Sequence, residues 1–238
     1  MINFAHRGFK GEYPENTMLA FKKAIEAGAS GIELDVHLSK DGEIVIIHDE
    51  TLERTTDGSG LVGEKTLDQL KDLNASKNYP DCKVQRILTL KEYFDFAKDY
   101  EIITNIELKT SIIDYPGIEE KVYKVIKEYG VEEKIIISSF NHNSLIRFKK
   151  LDANIKCGVL ESSRLYEPWN YVKNLGMEYY HPLNFTVTKE LAEKCAENNI
   201  GLNIWFGISE YDYSDYLDLE ITGLITDFPD VVDELLND

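Results

Sequence analysis

Residues 102–139 read IITNIELKTSIIDYPGIEEKVYKVIKEYGVEEKIIISS. The stretch opens on a short apolar run at 102–107, passes through an amphipathic segment at 117–129 that Gly130 can end, and returns to a second apolar run at 134–139. Ile135, Ile136 and Ile137 leave no polar face, as expected for a parallel strand covered on both sides. The same unit recurs in both directions. Apolar runs at 2–6, 31–36, 155–160, 177–181, 200–205 and 222–226 bring the strands to eight. Amphipathic segments at 16–27, 89–99, 142–151, 168–175, 188–198, 210–218 and 229–236 bring the helices to eight as well. Asn16, Thr89, Asn143 and Thr188 are placed to cap helix N-termini, and Gly28, Gly130 and Gly176 to end helices. Eight β/α units in 238 residues predict an α/β fold, a closed (β/α)₈ TIM barrel. An open doubly wound sheet is disfavoured, because no glycine-rich dinucleotide fingerprint follows the first strand.

The whole of 1–238 reads as one barrel domain with one interruption. Segment 39–85, after the second strand, holds a hairpin turn at Asp41 and Gly42, a β run from Ile44 to Ile47 and a glycine-rich polar stretch over 57–63. A connection of that length in a compact domain is usually functional or a small insertion. Composition limits what the chain can do. With 43% hydrophobic and 29% charged residues, and no run of the roughly 18 apolar residues that a span requires, disorder and stable membrane insertion are excluded. Twenty-six basic against 43 acidic residues give a net charge of −17, which repels nucleic acid. Any anionic substrate must therefore meet local positive groups or a bound cation. Cys82, Cys157 and Cys195 have no metal-type spacing and read as reduced thiols. The first residues lack a basic region followed by an apolar run, so a cytoplasmic protein is expected. Nothing in the sequence sets an oligomeric state.

In a barrel of this kind the chemistry collects at the C-terminal ends of the strands. The first strand ends in His6, Arg7 and Gly8. The second ends in Glu33, Leu34 and Asp35, whose two carboxylates share one face because side chains alternate along a strand. Like charges roughly 7 Å apart at the backbone resist joint ionisation unless a cation lies between them. The third strand ends in Asn105, Ile106, Glu107, Leu108 and Lys109, so Glu107 completes a three-carboxylate set. All-oxygen ligation selects a hard divalent cation, Mg²⁺ or Ca²⁺, over zinc. His48 closes the β run inside 39–85 and can return to the mouth opposite His6. Two histidines beside a metal suit acid/base cleavage of a phosphate ester, with Arg7 and Lys109 meeting the phosphoryl charge.

These residues resemble the glycerophosphodiester phosphodiesterase family. The match runs through His6-Arg7-Gly8, Pro14 to Thr17, Glu33, Asp35, Asp41, Gly42, His48 and Asp49. It continues with Thr51, Leu52, Arg54 to Thr56, Gly58, Glu107 to Lys109, Ser138 to Phe140, Trp205, Thr226, Asp227 and Pro229. The resemblance implies a barrel with an insertion after the second strand, metal ligands Glu33, Asp35 and Glu107, acid/base residues His6 and His48, and phosphate contacts Arg7 and Lys109. It implies metal-dependent hydrolysis of a small glycerophosphodiester to sn-glycerol 3-phosphate and an alcohol. By similarity to phosphoinositide-cleaving phospholipases, the glycerol 2-hydroxyl attacks phosphorus, with His6 as first base and His48 as acid. The chain departs from the family pattern after Trp205, where Phe206, Gly207 and Ile208 stand in place of a common Thr and Asn, and at Leu88, where a proline is common.

Trp205 is expected to wall the glycerol carbons, and Glu15 to serve the first loop and reach a substrate hydroxyl, with Asn16 as helix cap. His37 is expected to be structural or outward-facing, His142 to bond a helix end, and His181 either to be structural or to line the mouth. Three rival readings are a lysophospholipase D-like or phospholipase C-like enzyme, which needs an apolar rim, a non-catalytic phosphate- or polyol-binding barrel, and an enolising lyase, which needs a lysine base and no histidine pair.

Overall fold

A computed structural model describes residues 1–207 and 212–237. In chain order the elements are β1 (Ile2–His6), α1 (Met18–Glu26), β2 (Gly31–Leu38), β3 (Ile44–Ile46), α2 (Leu67–Lys71), β4 (Leu88–Thr89), α3 (Leu90–Ala97) and β5 (Ile103–Leu108). They continue as α4 (Ile118–Tyr129), β6 (Ile135–Ser139), α5 (His142–Leu151), β7 (Lys156–Glu161), α6 (Pro168–Asn174), β8 (Tyr179–Pro182), α7 (Lys189–Glu197), β9 (Gly201–Trp205), β10 (Gly223–Thr226) and α8 (Pro229–Asn237). Strands β1, β2 and β5 to β10 pair in parallel, and β1 bonds both β2 and β10, so the barrel closes with eight strands. Every barrel strand expected from the sequence is present.

The helix ends differ in instructive ways. Thr89 caps α3 reciprocally, its hydroxyl accepting from the Glu92 amide and its own amide donating to the Glu92 carboxylate, and Thr188 caps α7, as their sequence positions suggest. Asn16 does not cap α1: the cap is Thr17, whose hydroxyl accepts from the Ala20 amide. Asn143 lies inside α5, which starts after Asn141 without a side-chain cap. The helix expected at 210–218 is, among the described residues, a single 3₁₀ turn at Tyr213–Tyr216, while residues 208–211 lie outside the description.

Segment 39–85 is a small unit attached to the rim. β2 runs beyond the barrel far enough for Val36, His37 and Leu38 to pair antiparallel with β3, which pairs in turn with β4. Ile44 and Ile46 face the main core. Val45 and Ile47 face the other way, into a separate core with Leu52, Val62, Leu70 and Ile87. The period-2 alternation of one short strand thus joins two cores.

Inside the barrel, Phe4, Ile136 and Ile225 pack together. His181 also lies wholly inside, with Nε2 3.0 Å from Asn203 Nδ2. A Cβ on Gly158 would come 2.3 Å from His181 Nε2, so the ring fits only over a glycine. Burial lowers the His181 pKa to about 3 from an ordinary 6.5. Below pH 6.5 an unfolded chain takes up a proton that the folded chain refuses, so this group costs stability as pH falls toward 3, by about 1.4 kcal/mol per pH unit. Melting curves from pH 7 to pH 4 should therefore fall more steeply for the native protein than for His181→Gln. Parallel curves would contradict this.

Candidate active site

The barrel register assembles the site. His6 on β1 is aligned with Glu33 on β2, and Asp35 is aligned with Glu107 on β5, so three adjacent strands deliver their polar ends to one place. Glu33, Asp35 and Glu107 are buried and each offers an oxygen within 4.8 Å of the others. Burial and the charges of Asp35 and Glu107 hold the Glu33 pKa well above the usual carboxylate range. Burial also raises Glu107, against the pull of the Lys109 ammonium. Asp35 is instead held low: burial opposes ionisation, but His48, Arg7 and Lys109 and a hydrogen bond from Asn16 outweigh it. Asp35 Oδ1 is buried without a hydrogen-bond partner, and Lys109 Nζ comes only to 3.7 Å. An all-oxygen, mutually repelling set with an unpartnered inner oxygen fits a hard divalent cation.

The loop after β1 is built tightly around this cluster. Arg7 has a positive φ of 55°, which aims its backbone amide at Glu33 Oε2, 2.9 Å away. Gly8 follows at φ 77°, and a Cβ there would lie 2.7 Å from the Ala20 carbonyl carbon, so α1 packs directly on the turn. The Arg7 guanidinium donates from Nη1 to Glu15 at 2.9 Å and places Nε 3.4 Å from Asp35. Asn16, freed from the capping role, donates from Nδ2 to Asp35 Oδ2 at 2.9 Å.

Each of the two expected acid/base histidines is held by a carboxylate. His6 Nδ1 lies 2.6 Å from Asp227 Oδ1, and Asp227 also accepts from Lys10 Nζ at 2.9 Å. Burial and the neighbouring Arg7 lower the His6 pKa to about 4 despite the pull of Asp227, so its ring is neutral at pH 7. His48 Nδ1 lies 2.5 Å from Asp49 Oδ1, and its Nε2 lies 3.2 Å from Lys109 Nζ. The His48 carbonyl is held 3.0 Å from Nε2 of His37, which is fully buried against Tyr115 and is therefore structural, though not outward-facing. Lys109 Nζ also donates to Glu107 Oε1 at 2.8 Å.

A cavity of about 180 Å³ opens over these groups, lined by His6, Arg7, Lys10, His48, Glu107 and Trp205 among others. Trp205 is anchored by Nε1 to the His181 carbonyl at 3.1 Å and stands edge-on to Phe140. Phe206, behind it, packs edge-on against Tyr213 and Tyr216, which gives the departure from the family pattern an apolar backing. Glu15 does not line this cavity; it is saturated by Arg7 and Arg54 and faces a neighbouring hollow with Tyr79. His142 bonds the Leu160 carbonyl and the Tyr171 hydroxyl, tying α5 to β7 and α6 instead of capping its own helix. His181 stays below the cavity, as a structural residue.

Residue spacing alone assigns no role to Asp227, Asp49, Lys10 or Arg54. Barrel closure contains the signal for the first: β1 and β10 pair with Ala5 opposite Thr226, so the next residues, His6 and Asp227, leave the barrel side by side. Lys10, three residues past Arg7, has no periodic signature.

Comparison with known proteins agrees with this geometry. Residues 6–231 match the family model described as the glycerophosphoryl diester phosphodiesterase family. A glycerophosphodiester phosphodiesterase of Caldanaerobacter subterraneus subsp. tengcongensis is 44% identical over 98% of this chain and 96% of its own. The solved glycerophosphodiester phosphodiesterase of Thermotoga maritima is 30% identical with a TM-score of 0.77, covering 99% of this chain and 98% of that one. An Oleispira antarctica phosphodiesterase, solved in complex with the product sn-glycerol-3-phosphate, is 26% identical with a TM-score of 0.84, covering 99% of this chain and 96% of that one. With the carboxylate cluster, the paired histidines and the closed barrel in the same chain, the protein is an enzyme and belongs to the glycerophosphoryl diester phosphodiesterase family.

Proposed function

We propose that the enzyme hydrolyses glycerophosphodiesters to sn-glycerol 3-phosphate and an alcohol, using Mg²⁺ or Ca²⁺ held by Glu33, Asp35 and Glu107, with barrel and insertion acting as one unit. The observation that carries this reading is the pair of histidines on one cavity, each held through Nδ1 by its own carboxylate beside the acidic cluster. The bound product of the Oleispira antarctica relative supports the choice of ester.

His6, neutral at pH 7, takes the proton of the glycerol 2-hydroxyl through Nε2. The resulting oxygen bonds to phosphorus, the bond to the alcohol oxygen breaks, and His48, as general acid, gives that oxygen its proton. The product of this half is a cyclic phosphate. In the second half His48 takes a proton from water, the hydroxide opens the ring at phosphorus, and His6 returns its proton to the glycerol 2-oxygen. Asp227 and Asp49 fix the tautomers and stabilise each imidazolium as it forms. Arg7, which lines the cavity, and Lys109, which bridges His48 and Glu107 of its lining, stabilise the charge on the phosphoryl oxygens. Trp205 and Phe140 form the apolar wall along the glycerol carbons. A divalent cation, when bound, supplies fixed positive charge that polarises the oxygens it touches.

A second reading keeps the same groups and takes a lysophospholipid. It is favoured by Ile112, Phe140 and Tyr166, which stand on the loops after β5, β6 and β7 with Ile112 77% and Tyr166 89% exposed. No helix among the described residues is long and apolar enough to cross a membrane.

Release of sn-glycerol 3-phosphate from glycerophosphocholine and glycerophosphoethanolamine should stop with EDTA and return with Mg²⁺ or Ca²⁺, and Glu107→Ala should be inactive under every condition. Persistent turnover in EDTA would remove the metal from the mechanism. Asp227→Asn should keep the fold and lower kcat on the order of 10²- to 10⁴-fold by releasing the His6 tautomer; an unchanged kcat would remove His6 as the base. Lysophosphatidylcholine cleaved with the higher kcat/KM, and loss of that advantage in Ile112→Asp, would establish the second reading over the first.

A further inference from the structure

Arg54 lies in a turn of the insertion between β3 and α2, with 45% of its side chain exposed. Exposed ion pairs of this kind usually contribute little to stability. Its hydrogen bonding is nevertheless unlike that of a solvated surface arginine. Nε and Nη2 donate to the two oxygens of Asp49 at 2.6 and 2.9 Å, and Nη1 and Nη2 donate to the two oxygens of Glu15 at 2.7 and 2.8 Å. One planar guanidinium thus grips two carboxylates, each through both oxygens, a geometry that lysine cannot reproduce.

What those carboxylates hold gives the clamp its meaning. Asp49 Oδ1 is the partner of His48 Nδ1, and Glu15 Oε1 is the partner of Arg7 Nη1. A continuous chain of charge-assisted bonds therefore runs His48, Asp49, Arg54, Glu15, Arg7, with Arg54 at its centre. The turn that carries Arg54 is itself fixed. Its carbonyl accepts from Asn78 Nδ2 at 2.8 Å, the Glu53 carbonyl accepts from Lys77, and Thr56 bonds the carbonyl of Leu52, which is buried in the insertion's own core. Burial opposes ionisation of both Glu15 and Asp49, yet the hydrogen bonds from Arg54 help to bring each to about 2, so the clamp is fully charged at neutral pH.

We propose that Arg54 is a positioning residue for the reaction: by gripping Asp49 and Glu15 together it sets His48 to protonate the leaving oxygen and Arg7 to meet the phosphate. The proposal rests on His48 as the acid. It predicts a defect that depends on the leaving group, because a departing p-nitrophenolate needs no proton and a departing choline does.

The test compares glycerophosphocholine with the p-nitrophenyl ester of glycerol 3-phosphate in single-turnover release of the alcohol, which reports the first half alone, using the full chain with Mg²⁺ or Ca²⁺. Arg54→Gln should lower the single-turnover rate for glycerophosphocholine on the order of 10²-fold more than that for the p-nitrophenyl ester, and raise the half-saturating concentration for both as Arg7 loosens. Arg54→Lys, which reaches one carboxylate at a time, should show the same selectivity at reduced size, and it carries the test if the glutamine variant lacks a cooperative melting transition. His48→Ala is the control and should be selective in the same direction. A selective His48→Ala beside an Arg54→Gln that slows both esters equally, or neither, overturns the role of Arg54 alone. A His48→Ala equally slow on both esters overturns His48 as the acid and the proposal with it.

Discussion

Three carboxylates buried within 4.8 Å of one another make an arrangement that a folded chain tolerates only with compensating positive charge. Much of what surrounds the mouth of this barrel answers that demand. Arg7 supplies a backbone amide to Glu33 and a guanidinium beside Asp35; Lys109 spans Glu107 and the His48 ring; Asn16 gives up a capping role to donate to Asp35. A divalent cation bound there, as proposed, would supply the remainder. In a chain of net charge −17, this local concentration of positive groups also gives an anionic substrate one favourable place to land.

Around that cluster the two histidines sit on different supports. His6 belongs to the barrel, and its carboxylate partner comes from the last strand's end, so barrel closure sets their geometry. His48 belongs to the insertion, and its carboxylate partner is its own neighbour in sequence. Burial keeps the first ring neutral, as the proposed role of proton acceptor requires; the second stands between Asp49 at Nδ1 and the Lys109 ammonium at Nε2.

The legibility of this arrangement from sequence follows the range of the interactions involved. Strand alternation is local, so Glu33, Asp35 and Glu107 could be placed on one face from their spacing alone, and eight apolar runs sufficed to recognise the barrel. Caps were readable where a single polar residue preceded the helix, as at Thr89 and Thr188. At Asn16-Thr17 two capable residues adjoin, and only the three-dimensional position of Asp35 decides which one turns inward. Asp227 and Glu15 illustrate the same limit. The first acts across 221 residues of sequence separation, and the second is drawn from the substrate side by Arg54, which approaches from a segment without regular pattern.

The double-faced strand β3 has one more consequence. Val45 and Ile47 root the insertion in a core of its own, with Leu52, Val62, Leu70 and Ile87, while the barrel keeps a separate and larger one. Two cores of unequal size open at different free energies, and the smaller one opens first. On the proposed mechanism, which takes His48 from the insertion, activity is thereby tied to the smaller core: on warming or under protease, turnover would be lost as that core frays, with the eight-stranded barrel still standing and ready to recover it on cooling.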